Sequence, residues 1–159
     1  MRSAPGDLDR QVVADLLGHQ PRGEWAVAVR AADGSPVVIW NGPFLDDGTP
    51  MPTLYWLVGK EEREAVSRLE AAGGVKAAEA AVDPDELEEA HRRYAHERAE
   101  EIRPGESRPL PSGGVGGTRK GVKCLHAHLA WYLAGGDDPV GRWTASEIAP
   151  VLRRYEVVR

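Results

Sequence analysis

The sequence predicts an α+β fold: a small antiparallel sheet of about three strands packed by five or six helices. Two observations carry this. Three apolar runs, near 24–31, 36–41 and 53–58, lie close together and are joined by connections rich in glycine and proline. After them the apolar residues recur mostly at helical spacing. The 159 residues are read as a single domain, 1–159. A chain of that length buries roughly two-thirds of its unfolded surface, so it needs no disulfide or metal staple.

Asp7 to Leu17 reads as a short helix. Leu8, Val12 and Leu16 form its stripe, Val13 and Leu17 widen it, and Gly18 ends it. EWAVAVRAADGSPVVIWNGP reads as a hairpin turning at Asp33-Gly34. FLDDGTPMPT is a loop, and Leu54 to Val58 is the third strand. These strands need helices to bury their apolar side. Lys60 to Ala72 and Val75 to Ala81 read as helices, the second a weak one. Asp83 to about Ile102 reads as a long charged helix, with Asp83 as N-cap and Pro84 at the first helical position. Glu106 to Gly117 is expected to be a mobile loop. A last helix over Ser146 to Tyr155, within 144–156, is expected to pack on the domain. Thr144 or Ser146 would cap it, and Ile148, Val151 and Leu152 would form its apolar face.

The formal charge of −5 argues against general nucleic-acid affinity, which needs a basic field. One cysteine excludes an internal disulfide and a cysteine-only zinc site. No apolar run reaches the roughly 20 residues of a membrane span. The opening MRSAPGDLDR has no apolar stretch after its basic residue. No signal peptide, no membrane association and a cytoplasmic location are therefore expected.

The segment GVKCLHAHLAWYLAGG, Gly121 to Gly136, holds Cys124, His126 and His128. As a strand it would set all three on one face, where a zinc site could begin. As a helix it splits them. The helix is favoured, because leucine and alanine dominate and Gly135-Gly136 supplies a stop. On that reading His126 joins the apolar stripe of Val122, Leu129 and Leu133. Cys124 and His128, four apart, share a flank with Trp131. Cys124 then has two roles open to it, a nucleophile activated by His128 or an inert thiol. A metal at that pair would need further ligands from His91, Glu97 or Asp138.

PSGGVGGTRKGVK, just before, satisfies neither the P-loop nor the dinucleotide fingerprint. It does bring Arg119, Lys120 and Lys123 to a helix start in an acidic chain. Free N–H groups and the helix dipole favour an anion there. In the long helix, His91, Tyr94 and Arg98 form one stripe joined by Glu97. That set can do acid–base work or grip a phosphate, although most helices of this charge density face solvent.

Several blocks together resemble the bacterial family known as domain of unknown function 501. They are PRG from Pro21, DGTPMPTLYWL from Asp47, SRLE from Ser67, AHRRYAHER from Ala90, VKCLHAH from Val122 and DPVG from Asp138. They cover about residues 7–141. The resemblance brings no established activity. It implies relatives that share His91, Tyr94, Cys124 and His126. Their genes often lie beside those for a septum-formation protein, an enolase and an exopolyphosphatase-like phosphatase. Many relatives carry Cys-Pro where this chain has Ala31 to Gly34, so a metal site on that hairpin is not available here.

The leading expectation is a site for a small phosphorylated ligand between helix 83–102 and the basic loop and helix 113–134, serving hydrolysis or transfer. His91, Tyr94, His128 and Cys124 are its catalytic candidates. Arg98, Arg119, Lys120, Lys123, Thr49 and His126 are its ligand-binding candidates. No metal ligand set and no cofactor is assigned. One alternative is a non-catalytic interaction or regulatory module linked to division or envelope, with Trp25, Trp40, Tyr55 and Trp56 as its patch. A zinc-stabilised domain is the other.

Overall fold

The computed structural model describes residues 2–158. Six helices and four strands follow along it: α1 Asp7–Leu17, β1 Trp25–Ala31, β2 Pro36–Asn41, β3 Tyr55–Leu57, α2 Lys60–Ala71, α3 Gly74–Ala81, α4 Pro84–Glu100, α5 Leu125–Leu133, α6 Pro139–Glu147 and β4 Tyr155–Val157. The sheet is antiparallel, in the order β3-β2-β1-β4. The α+β expectation holds.

The hairpin forms as its sequence dictates. Gly34 takes φ +88, which a glycine allows without strain. Asp33 Oδ1 accepts the Ser35 N–H at 2.9 Å and so fixes the turn. The sheet buries both faces. Val13, Trp25, Val27, Ile39 and Val58 form one cluster under α1. Ala26, Val29, Val37, Val38, Trp40, Leu54 and Leu57 belong to the larger core with residues of α2 to α6. A bulge between Val27 and Val29 shifts the β1–β2 register.

Two expectations about the C-terminal region are corrected. The last helix lies at 139–147, not 146–155, and the chain then returns to the sheet as β4. Asp138 starts the helix early: its Oδ1 accepts the Val140 N–H at 2.9 Å, with Pro139 at the first turn. Pro150 has no N–H to continue the helix, so only a short 3-10 turn, Ala149–Val151, follows. Tyr155 to Val157 then pair with Ala31 to Val29, giving a fourth strand beyond the three expected.

An ion pair between a buried carboxylate and an exposed arginine fastens this fourth strand. Glu62 of α2 is fully buried, and its carboxylate accepts from Arg153 Nη2 at 2.9 Å and from the Tyr155 hydroxyl at 2.8 Å. Asp83 does stand at the N-cap of α4 with Pro84 following, but its side chain makes no capping hydrogen bond.

Candidate functional site

The two helices named from the sequence do meet. The His91 and His128 rings pack edge to face with centroids 5.8 Å apart, and Tyr94 packs likewise on Trp131 at 5.1 Å. Most of their polar atoms, however, are engaged with the protein itself, although His128 Nε2 is buried without a hydrogen-bond partner among the described residues. His91 Nδ1 accepts the Val115 N–H at 3.0 Å, which leaves the proton on Nε2 to donate to Gly121 O at 2.9 Å. Burial holds the imidazole below its ordinary pKa, so the neutral ring is the favoured form. Tyr94 is fully buried and its hydroxyl accepts the Leu54 N–H at 2.6 Å. Burial pushes that phenol well above its ordinary range.

Arg98 is also buried. It donates to Pro52 O at 2.9 Å and Gly113 O at 2.8 Å. Glu97 accepts from Trp131 Nε1 at 2.9 Å and from the Tyr55 hydroxyl at 3.3 Å, and burial raises its pKa. The polar stripe of α4 therefore ties two long loops, 43–54 and 101–124, to the core. The second loop differs from expectation in this respect: its Val115 is fully buried rather than part of a free-standing segment.

His128 and His126 exchange the places expected of them. His128, not His126, is fully buried. Its Nδ1 meets Asp138 Oδ2 at 2.6 Å, with both side chains inaccessible. The His126 side chain keeps 27% of its exposure. The reason is that α5 packs against β3, α2 and α6 together, so most of its surface is covered and no single stripe identifies the core side.

The start of α5 also differs. The helix begins at Leu125, with Cys124 as an extended N-cap at φ −154, ψ 125. Helical spacing would separate Cys124 from His126. The extended N-cap instead brings Cys124 Sγ to 3.6 Å from His126 Nδ1. Glu70 of α2 completes the group, its Oε1 lying 3.3 Å from the same nitrogen. Its Oε2 accepts the Leu125 N–H at 2.8 Å, using one of the free N–H groups of the helix start. Ser67 Oγ lies 3.2 Å from His126 Nε2. The hydrogen-bonded thiol raises the imidazole pKa, burial opposes this, and the Glu70 charge adds to the rise.

Cys124 and His126 open on a cleft of about 490 Å³ between the end of β3, α2 and the start of α5. Arg63 and Ser67 supply the α2 wall, four residues apart on one helix face. Lys123 stands at the α5 wall, and Trp56, 41% exposed, at the sheet edge. His19 follows α1 at the rim. Among the described residues no aspartate or glutamate lines this cleft.

Of the residues chosen from the sequence, the cleft gathers Cys124, His126 and Lys123. Arg119 and Lys120 are exposed and do not line it; Lys120 borders a separate depression with Glu79 and Glu88. Thr49 is exposed in a turn, where its N–H donates to Asp47 Oδ1 at 2.9 Å. Glu70, Ser67 and Arg63 were missed. Two family-like blocks, SRLE and VKCLHAH, contain four of the residues that meet here: Ser67, Glu70, Cys124 and His126.

No helix among the described residues is long and apolar enough to cross a membrane. Comparison with curated proteins and with solved structures gives no match. The family described as "Protein of unknown function (DUF501)" matches residues 27–146. That span covers well over half of the 159 residues, and the chain belongs to this family.

Proposed function

We propose that the cleft beside α5 binds a small anionic ligand, with a phosphorylated compound as the favoured class. The observation that carries this is its charge. Arg63 and Lys123 line it together with His19 and His126, and no carboxylate among the described residues does, in a chain of net charge −5. Arg63 and Lys123 focus an attractive field in this recess, while the nearby Glu70 carboxylate is engaged by His126 and the Leu125 N–H. The exposed Trp56 offers an apolar face for the remainder of the ligand.

Cys124 and His126 are the pair placed to act on such a ligand, and hydrolysis or group transfer is the reaction class they suit. His91, Tyr94 and Arg98 act in this reading as positioning groups. They hold the loops on either side of the cleft through Val115, Gly121, Leu54, Pro52 and Gly113. The interaction-module alternative loses its patch, because Trp25, Trp40 and Tyr55 are buried and only Trp56 is exposed.

A melting-temperature screen with inorganic phosphate, pyrophosphate and phosphate monoesters tests the proposal, since a ligand of the native state raises stability by mass action. A saturable shift is expected. Lys123→Ala and Arg63→Gln should each weaken binding about tenfold, as lost charge-assisted contacts do. No shift with any anion, or shifts indifferent to both substitutions, would refute it.

A further inference from the structure

The Glu70–Cys124–His126 group has a second property, which needs no bound anion and which makes Cys124 and His126 metal ligands in place of a free thiol and imidazole. One oxygen, one sulfur and one nitrogen from these residues lie within 4.8 Å of one another. The Sγ to Nδ1 separation is 3.6 Å and the Nδ1 to Oε1 separation 3.3 Å. A tetrahedral zinc ion, with Zn–S near 2.3 Å and Zn–N and Zn–O near 2.0–2.1 Å, places its ligand atoms about 3.6 Å (S to N) and about 3.3 Å (N to O) apart. Two of the three separations therefore match the edges of a tetrahedron around an ion, and the third, Sγ to the Glu70 oxygen, lies within 4.8 Å.

The surroundings match a metal site as well. A histidine bound through one nitrogen ordinarily directs its other N–H to a fixed acceptor, and ligating carboxylates are themselves hydrogen-bonded. Both conditions are met here. His126 Nε2 faces Ser67 Oγ at 3.2 Å, so binding at Nδ1 leaves Nε2–H a partner. Glu70 Oε2 holds the Leu125 N–H at 2.8 Å, so Oε1 is the oxygen left for the ion. All three side chains are half-buried, which keeps them ordered and still reachable.

We propose that Glu70 Oε1, Cys124 Sγ and His126 Nδ1 form a three-ligand site for a zinc-class divalent ion, with the fourth position open to the cleft. A thiolate, an imidazole and a carboxylate form a borderline set that suits zinc and cobalt over magnesium or calcium. Cys124 and His126 border the cleft, so the fourth position faces the recess where the anion would lie. Three protein ligands and one open position is the arrangement of catalytic rather than structural zinc. This ligand set differs from the Cys124 and His128 pair that helical spacing suggests, because His128 is committed to Asp138.

The test uses the full chain without a histidine tag, freed of metal by chelation and titrated with zinc against a chromophoric chelator, and separately with cobalt(II). One equivalent is expected. The cobalt form should show intense visible bands of a tetrahedral ion and a near-ultraviolet thiolate-to-cobalt band. Cys124→Ser, a near-isosteric change, should abolish the charge-transfer band. His126→Ala and Glu70→Gln should each weaken zinc binding at least about tenfold, and Ser67→Ala about tenfold through the lost second hydrogen bond. His96→Ala, exposed on α4, should change nothing. Circular dichroism of each metal-free variant checks folding, and the wild-type cobalt spectrum decides if a variant misfolds. Substoichiometric binding, an octahedral spectrum without charge transfer, or a Cys124→Ser protein that binds as before would overturn the site. A phosphate titration of the metal-free protein reads the anion cleft separately, so either proposal can fail alone.

Discussion

Replacing His91 with leucine tests the claim that the α4 stripe is a fastening device. The substitution keeps an apolar group of similar bulk but removes both hydrogen bonds of the ring. Val115 is fully buried, so its N–H would lose its acceptor with no water to replace it. A buried donor left unsatisfied costs about 1–3 kcal/mol. The Gly121 carbonyl lies at a half-exposed residue and regains water, so losing its donor costs about 0.5–1 kcal/mol. The sum is about 1.5–4 kcal/mol. His91→Asn is the informative partner, because its side-chain oxygen stands near the place of Nδ1 and restores the Val115 bond. Urea denaturation should rank wild type above Asn and Asn above Leu. Amide exchange should show Val115 losing protection in the leucine variant before the rest of the core does. A leucine variant within about 0.5 kcal/mol of wild type, or an asparagine variant as unstable as leucine, would refute the reasoning.

Further outcomes follow from the same geometry. His91 titrates below its ordinary pKa of 6.5 because it is buried, so below pH 6.5 the unfolded chain binds the proton the native state resists. This group's contribution is complete above pH 6.5 and is lost as pH falls towards the native value; comparing wild type with His91→Asn by urea denaturation at several pH values isolates it. Gly114→Ala should destabilise by about 1–3 kcal/mol, since the new Cβ would overlap the His91 side chain; a neutral result in thermal melts would mean the loop can move aside freely. Arg153→Ala should cost about 2–3 kcal/mol, because it strips the cation from the buried Glu62 carboxylate. Exchange should then show β4 opening first, and unchanged protection at Val158, whose N–H donates to Ala28 O at 2.8 Å, would contradict the account.

Much of the fold is local in origin, and that part was readable. The span of α1 ending at Gly18, the Asp33-Gly34 turn and the Pro84 start of α4 each depend on residues within a few positions of one another, although the buried side of α1 is Val13 with Leu16 and Leu17 rather than the expected Leu8 stripe, Leu8 being 74% exposed. β4 has no such signal. Its three residues pair with Val29 to Ala31, more than 120 positions away, and Glu62 that anchors it lies 91 to 93 positions from its partners. Pro150 was the one local warning against a helix running to Tyr155.

The candidate site shows the same division. The grouping of His91, Tyr94 and Arg98 on one face of α4 is local and is present. Whether that face meets ligand or core is decided by loops that close over it, which the helix sequence does not contain. At α5 the difficulty is a single residue. Cys124 at an extended N-cap, rather than inside the helix, turns two residues that helical spacing separates into a pair 3.6 Å apart. Glu70 joins them only through the packing of α2 on α5, 54 positions away from Cys124 in the chain.

The claim on which the rest depends is that function resides in the cleft between α2, β3 and α5, and not on the α4 stripe. A phosphate titration followed by backbone amide shifts of the labelled protein tests it most directly. The account predicts saturable changes at Lys123, Cys124, His126, Ser67 and Thr53, with the midpoint moved about tenfold higher in Lys123→Ala and the Tyr94 and Arg98 amides still. Changes confined to Arg119 and Lys120, or centred on α4, or linear without saturation, would contradict it.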